Sequence, residues 1–258
     1  MDKSTDIFSK IPDLDYDETP PEVKVEEFIK VVEGRRSVRV YTEDKIPEEV
    51  MRSCLDMALL APNSSNLQPW EFYWVRDPKK KKKLAKACFS QPAATTAAEL
   101  IVSVARTQTW KKHCKEMLEL FEKGEQEPPK SVTAYYKKLA PFIYTQGPLS
   151  ILGFLKKIFF FIVGFFKPVP REPTSKSDMK LWASKTCALA CENIMLALRA
   201  YGFDSCPMEG MDSKRVAKVL NLPSDAFVVM VISAGKRSSK GVYGPRIRFP
   251  KNKFIFEI

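Results

Sequence analysis

The chain has 258 residues, with 42 Lys and Arg against 31 Asp and Glu, one His, six Cys and 45% apolar residues. That apolar share excludes wholesale disorder, and the length suits one large domain or two small ones with a sizeable core. A single His, and cysteines at 54, 88, 114, 187, 191 and 206 without a CxxC pair, argue against a structural zinc site.

The first residues lack a basic start followed by an apolar run, so no signal peptide is expected, and unpaired cysteines fit the reducing cytoplasm. The net charge of +11 is unevenly spread: residues 1–33 hold four Lys and ten Asp or Glu, so the remaining positions carry about +17. Basic residues concentrate at 35–39, 79–83 and 236–253, the last with seven Lys or Arg and no acid.

In chain order, residues 1–21 are acidic and contain Pro12, Pro20 and Pro21, which reads as an extended arm ahead of one domain spanning 22–258. Val25, Phe28, Ile29 and Val32 recur at helical spacing up to Gly34. Pro47 then opens a helix with Val50, Met51, Cys54, Leu55, Ala58 and Leu59 on one side, closed by Pro62. The aromatic run WEFYWVR at 70–76 reads as a strand, Pro78 starts a lysine-faced helix, and 100–105 reads as a buried strand. Helices are expected at 108–123 and 131–145, separated by the breaker at 127–129, and at 177–201, where Gly202 stops the longest of them. Asp212 is placed to cap a short helix ending at Leu220, and FVVMVISA at 227–234 reads as a second continuous apolar strand. Helical runs mixed with a few strands, without βαβ alternation, favour an α+β fold.

The segment 149–166, LSILGFLKKIFFFIVGFF, forms the heart of an insertion at 147–176. A membrane span needs roughly 20 apolar residues, whereas the unbroken run covers only 158–166. Lys156 and Lys157 would each cost about 2.5–3.5 kcal/mol at a bilayer centre. On a helix, Gly153, Lys156, Lys157 and Gly164 share a narrow face with Phe160, and the rest of the circumference is apolar. Three readings are open: core or dimer contact, a hydrophobic lid over a substrate pocket, and a helix lying in a membrane interface with its lysines towards the headgroups. The polar, Pro-rich KPVPREPTSKSD that follows reads as a connection that lets this element move.

Two stretches carry chemistry. EGRRSVR places Arg35, Arg36, Ser37 and Arg39 within five residues, and arginine forks with a short hydroxyl suit phosphate oxygens; a solvated helix end has the same composition. APNSSNLQPW at 61–70 sets amide and hydroxyl side chains between prolines, a rigid presentation of donors and acceptors to a flat heterocycle or, more simply, a capped turn.

Together and at this separation, RRSVR at 35–39 and PNSSNLQPW at 62–70 resemble the FMN-dependent nitroreductase family. CPMEGMD at 206–212 looks like that family's loop beside the flavin ring, and PRIRFP at 245–250 like its second phosphate-binding element. The resemblance covers roughly 26–146 and 177–250. It implies an α+β fold with a central mixed sheet flanked by helices, an intertwined homodimer, and an FMN site built from both chains. In that site Arg35, Ser37, Arg246 and Arg248 hold the 5′-phosphate with Arg36 nearby, and Arg39 approaches the N1 and C2 carbonyl side of the ring. Pro62, Asn63, Ser64 and Asn66 come from the other subunit with Gln68 supporting their loop, while Met208, Glu209 and Gly210 line the opposite side and a Glu209 or Gly210 amide reaches N5. NADH or NADPH is the implied donor. Electrons pass by ping-pong hydride transfer through N5 to a nitroaromatic, quinone-like or other hydrophobic acceptor, with no side-chain general acid or nucleophile.

The chain departs from the family pattern in places. Asn63 stands where the family has serine, and either Ser90 or Gln91 is available for the amide contact to the flavin pyrimidine. The insertion falls where the family places variable substrate-covering helices, which favours the lid over the membrane reading and implies bulky hydrophobic acceptors. A reductive dehalogenase or flavin-destroying relative would share nearly all these motifs, and a membrane-peripheral flavin-binding protein with little turnover is the alternative of another class. Cys187 and Cys191, four residues apart, are read as core, His113 as a surface residue, and Lys79–Lys83 as a solvated face. Aromatics do not interleave with those lysines, so no nucleic-acid partner is expected.

Overall fold

The computed structural model describes residues 17–124 and 128–258. The acidic arm therefore lies largely outside the described residues, and its last positions, with the residues up to Lys24, are exposed and without regular structure. Helix α1 (Val25–Gly34) leads to α2 (Glu48–Leu59), β1 (Trp70–Trp74), α3 (Pro78–Ala87), the short α4 (Pro92–Thr95) and β2 (Glu99–Arg106). There follow α5 (Trp110–Lys123), α6 (Lys130–Tyr144, with a π-helical turn at Tyr135–Leu139), α7 (Ile151–Val163), α8 (Lys176–Ala200), β3 (Asp204–Met208), α9 (Ser213–Leu220) and β4 (Ala226–Gly235).

Local signals explain most boundaries. Asp77 accepts from the Lys80 amide at 2.7 Å just ahead of Pro78, Ser175 accepts from the Asp178 amide at 3.1 Å, and Asp212 accepts from the Arg215 amide at 3.0 Å. Each satisfies an amide that the first helical turn leaves unpaired.

The sheet runs β1-β2-β4-β3 and all three ladders are antiparallel. The expected mixed character survives only as an isolated parallel bridge between Ser37 and Ser205. β2 and β4 are continuous apolar runs because helices cover both faces of the sheet. Ile101 and Ile232 pack with Cys187, Cys191, Ile194 and Leu198 of α8, while Leu100, Val102 and Val231 pack with Leu84 and Val216 of α3 and α9. All six cysteines are free and buried, and Cys187 and Cys191 belong to this core.

β3 is the strand that sequence reading took for loop. It contains Pro207, which cannot donate to a ladder, and it is tolerated because β3 lies at the sheet edge and pairs only with β4. The loop is therefore shorter than expected and begins at Glu209.

Of the two sides of the insertion helix, most of the narrow one meets the protein. Gly153, Lys156 and Phe160 face inward, and the Lys156 ammonium, 3% exposed, donates to the carbonyls of Phe142 (3.0 Å) and Ile143 (2.7 Å) at the end of α6. Three donors on one amine suit the unpaired carbonyls of a helix C-terminus, and burial lowers the Lys156 pKa. The apolar arc of α7 is largely exposed and stays out of the core, while Phe154, Ile158 and Phe161 on it line a cavity of about 500 Å³ with Glu172 and Asp178.

Candidate functional site

Immediately after α1 the chain runs extended, and alternation sorts its side chains. Val38 is buried between the exposed Ser37 and Arg39, and Tyr41 turns inward beyond the alternating stretch. The backbone is stitched to three partners: Val38 N–H donates to Ser205 O (3.1 Å), Arg39 N–H to Gly241 O (2.7 Å) and Thr42 N–H to Lys236 O (2.9 Å). The Tyr41 ring lies where a Cβ on Gly235 would come within 2.9 Å of it, and its hydroxyl donates to Ser233 O (3.2 Å) in the core.

This stitching brings 35–39 against the C-terminal segment. Arg35, Arg36, Ser37, Arg39, Arg246 and Arg248 line one pocket of about 220 Å³, joined by Tyr243 and Pro245. Arg36 Nη2 donates to Gly244 O (2.6 Å), and Arg246 Nη2 donates to the carbonyls of Glu33 (2.7 Å) and Arg35 (2.5 Å), so these two guanidiniums clamp the segments together. Arg39 lies over the Tyr243 ring at 5.3 Å, Arg35 is 3.6 Å from Glu192, and Arg248 reaches only its neighbour's carbonyl at Ile247 (2.8 Å). Burial raises the pKa of the nearby Cys206 thiol, and the Arg39 and Arg35 charges oppose that shift. Five cations around so small a volume describe an anion site.

Behind the segment, a buried carboxylate joins two arginines. Asp204, 2% exposed, accepts from Arg199 (2.9 Å) and from Arg237 (2.6 and 3.0 Å), and Arg237 also donates to Gly34 O (3.1 Å) at the end of α1. Removing one partner of a buried pair costs about 3–5 kcal/mol. Both arginines here keep some contact with water, so Asp204→Ala is expected to cost about 2 kcal/mol in urea unfolding.

The 62–68 loop is built differently. Ser65, Asn66 and Gln68 all have left-handed backbone angles, φ 60°, 47° and 45°, which non-glycine residues adopt only when their surroundings enforce it. The enforcement is visible: Asn63 Oδ1 accepts from the Gln68 amide (2.8 Å), and Leu67 is fully buried. Tyr136 donates to Ser65 O (3.0 Å), Tyr144 bonds the hydroxyls of Ser64 (3.2 Å) and Ser65 (3.0 Å), and Tyr135 bonds the Ser65 hydroxyl. Burial pushes the Tyr136 phenol up to about 12, which keeps it a neutral donor.

His113 completes the clamp. It is half-buried, not a free surface residue, and its Nδ1 lies 2.6 Å from Leu67 O. A carbonyl can only accept, so Nδ1 carries the proton. These tyrosines and His113 are the positioning residues that sequence reading missed.

Pro62, Ser64 and Asn66 are left exposed on the loop. Asn63, Ser64 and Ser65 line a cavity of about 500 Å³ with Tyr135, Tyr144 and Trp182, separate from the arginine pocket of the same chain. Of the third expected group, Glu209 and Gly210 are exposed, but the Met208 side chain is buried among Leu84, Val216 and their neighbours and is not open to a ligand. Gln91 Nε2 donates to Gly210 O (3.1 Å), which ties the start of α4 to this loop.

Comparison with known proteins agrees with this geometry. The nitroreductase family model matches residues 32–236. The chain is 28% identical over 221 residues to an NADH dehydrogenase of Thermus thermophilus, covering 86% of this chain and 91% of that one. Its fold is similar to a protein described as a nitroreductase from Bacillus subtilis, with a TM-score of 0.70 and 22% identity, over 91% of this chain and 100% of the other. It is also similar to one from Exiguobacterium sibiricum solved in complex with FMN, with a TM-score of 0.64 and 26% identity, over 93% and 99% of the two chains. With the family's pattern matched over most of its length and its arginine-rich elements gathered in one pocket, the chain belongs to the nitroreductase family and is an oxidoreductase.

Proposed function

We propose that the protein is an FMN-dependent NAD(P)H oxidoreductase that works as a homodimer by a ping-pong cycle on aromatic, nitroaromatic or quinone-like acceptors. The observation that carries this reading is the arginine pocket, in which segments some two hundred residues apart in sequence converge on about 220 Å³. A phosphomonoester carries about −1.5 to −2 charges at neutral pH. The donor set therefore fits the FMN phosphate, with Arg35, Ser37 and Arg248 facing it, Arg36 and Arg246 holding the pocket's walls, and Arg39 at the side toward the ring.

When bound, FMN supplies the two-electron chemistry that carries a hydride from NAD(P)H to the acceptor. The chain's own residues position it. Arg39 offers a fixed cation to the negative charge that accumulates on reduction. Pro62, Asn63, Ser64 and Asn66 of a second copy pack over the ring, a role that accords with a rigidly held loop whose cavity is separate from its own chain's phosphate pocket. The exposed Glu209 and Gly210 offer backbone amides to the other side, and the buried Met208 anchors them. Tyr135, Tyr144 and Trp182 give the acceptor cavity aromatic walls, which suits flat rings. The cavity lined by Phe154, Ile158 and Phe161 of α7 shares Glu172 and Asp178 with this one, which accords with other hydrophobic acceptors as well. A cytoplasmic location accords with six unpaired cysteines.

The direct test compares FMN with riboflavin, which lacks the phosphate. Several charge-assisted bonds of about 1.5–3 kcal/mol each predict that FMN binds at least about a thousandfold more tightly in equilibrium titration. Equal affinity for the two would refute the phosphate pocket.

A further inference from the structure

Most of the apolar surface of α7 lies outside the walls of the site described above, although Phe154, Ile158 and Phe161 line a neighbouring cavity that shares Glu172 and Asp178 with it. It is also fixed in its outward position. A Cβ on Gly153 would come within 2.1 Å of the Thr174 carbonyl oxygen, so the helix lies directly on that backbone. Lys156 is bonded to the end of α6, Phe160 meets the Phe142 ring edge-on at 6.1 Å, and Arg171 donates to Phe160 O (3.1 Å) and Gly164 O (3.4 Å). Lys157 is thus the one polar side chain of α7 not used to hold it down. Around the rest of the helix Phe154, Leu155, Ile158, Phe159, Phe161 and Ile162 are 44–63% exposed, and Phe165 and Phe166 extend the surface at 72% and 86%. A contiguous patch of this kind on a well-docked helix marks an interaction site.

Charge and dimensions select the partner. Residues 128–176 contain eight Lys or Arg and a single acid, Glu172; Lys157 is exposed on α7, Lys130, Lys137 and Lys138 are exposed on the adjoining α6, and Glu172 and Asp178 are the acids that line the cavity beside α7. At about 1.5 Å per residue the 13 residues of α7 measure about 20 Å, short of the roughly 30 Å of a bilayer core. No single helix among the described residues is long and apolar enough to cross a membrane. The preceding α6 is bent 73° from α7 and buries Tyr136, Ala140 and Tyr144 in the main core, so the two do not form a span. A second copy has other surfaces to use. The exposed apolar residues of α1, and the C-terminal segment tied to Glu33 by Arg246, lie at the Arg199 end of α8, whereas α7 is anchored beside Asp178, about 32 Å along that helix.

We infer that α7 docks the protein on the surface of an anionic lipid bilayer, with its apolar arc in the boundary between headgroups and acyl chains and Lys157, with the exposed lysines of α6, toward the lipid phosphates. This stands independently of the flavin reading. Of the two lysines expected to face the headgroups, Lys156 is used for docking to the protein and Lys157 stays exposed beside the apolar arc.

The test is flotation of the full chain with vesicles of phosphatidylcholine alone and of phosphatidylcholine mixed with phosphatidylglycerol. The protein is expected to float with the mixed vesicles and to bind pure phosphatidylcholine about tenfold less or weaker. Phe154→Ser/Phe161→Ser and, separately, Lys138→Glu/Lys157→Glu should each reduce binding to the mixed vesicles by about tenfold or more, with the circular dichroism spectrum unchanged. Failure of the wild-type chain to float with either vesicle overturns the inference, as does equal flotation of both double variants. A wild-type oligomer that ignores vesicles and is broken into smaller species by the serine pair would make α7 a contact between copies and would equally overturn it.

Discussion

Replacing Arg35 and Arg248 together by Ala is expected to weaken FMN binding by a factor of about 100 to 10,000, the loss of two charge-assisted contacts worth about 1.5–3 kcal/mol each. Riboflavin binding should change little, because the two arginines would meet only the phosphate. This pair is the informative one because neither guanidinium holds the fold together: Arg35 has a partly exposed contact with Glu192 at 3.6 Å, and Arg248 reaches only the carbonyl of Ile247. Arg246→Ala is a poorer test. Its guanidinium binds the carbonyls of Glu33 and Arg35, so its loss would loosen the pocket as well as empty it of a charge. Equilibrium titration of FMN and riboflavin against the double variant separates the two effects, and a parallel loss for both ligands would show that the pocket had been deformed.

Gly153→Val should have the second large effect, and it acts on α7 rather than on the flavin site. The added Cβ would sit 2.1 Å from a backbone oxygen and 2.3 Å from Gln146 Oε1, and backbone cannot step aside as the tip of a side chain can. Overpacking costs about 1–3 kcal/mol, and this site belongs at the upper end. At about 1.4 kcal/mol per tenfold, hydrogen exchange of the α7 amides should accelerate by about 100-fold while the strands of the sheet keep their protection. Gly210→Ala is the control, since nothing lies within 4 Å of a carbon added there. Unchanged exchange in α7 would mean that the helix is not seated as described.

How far the sequence could be read depended on whether each signal was local. The helix start at Pro78, the cap at Asp212, the breakers around α5 and α6, and the apolar runs of β2 and β4 are decided within a few residues, and they sit where expected. β3 was hidden because Pro207 argues against a strand until one knows that it lies at an edge. The orientation of α7 was hidden for a related reason. A helical wheel divides Lys156 and Gly153 from the phenylalanines, but it does not say which side turns inward. That is settled by two carbonyls at the end of α6, in a different part of the chain.

The candidate site divides in the same way. That 35–39 and 245–250 belong together was legible only through family resemblance, because composition alone shows two basic clusters with nothing to pair them. Met208 was grouped with Glu209 and Gly210 as a ligand-lining residue, yet strand alternation sends its side chain into the core and leaves its neighbours exposed. The tyrosine and histidine clamp on the 62–68 loop carried no sequence signal. Tyr135, Tyr136, Tyr144 and His113 look like ordinary residues of two amphipathic helices until folding sets them against Ser64, Ser65 and Leu67.

The central claim is that this chain holds FMN and passes electrons from a nicotinamide donor to a second substrate. The most direct measurement is the visible absorbance of the FMN-loaded protein, titrated without oxygen with NADH or NADPH and then with a quinone or nitroaromatic. The flavin bands are predicted to bleach with about one equivalent of one of the two donors and to return when the acceptor is added. A protein that takes up no FMN, or that binds it and stays oxidised with both donors, would contradict the account.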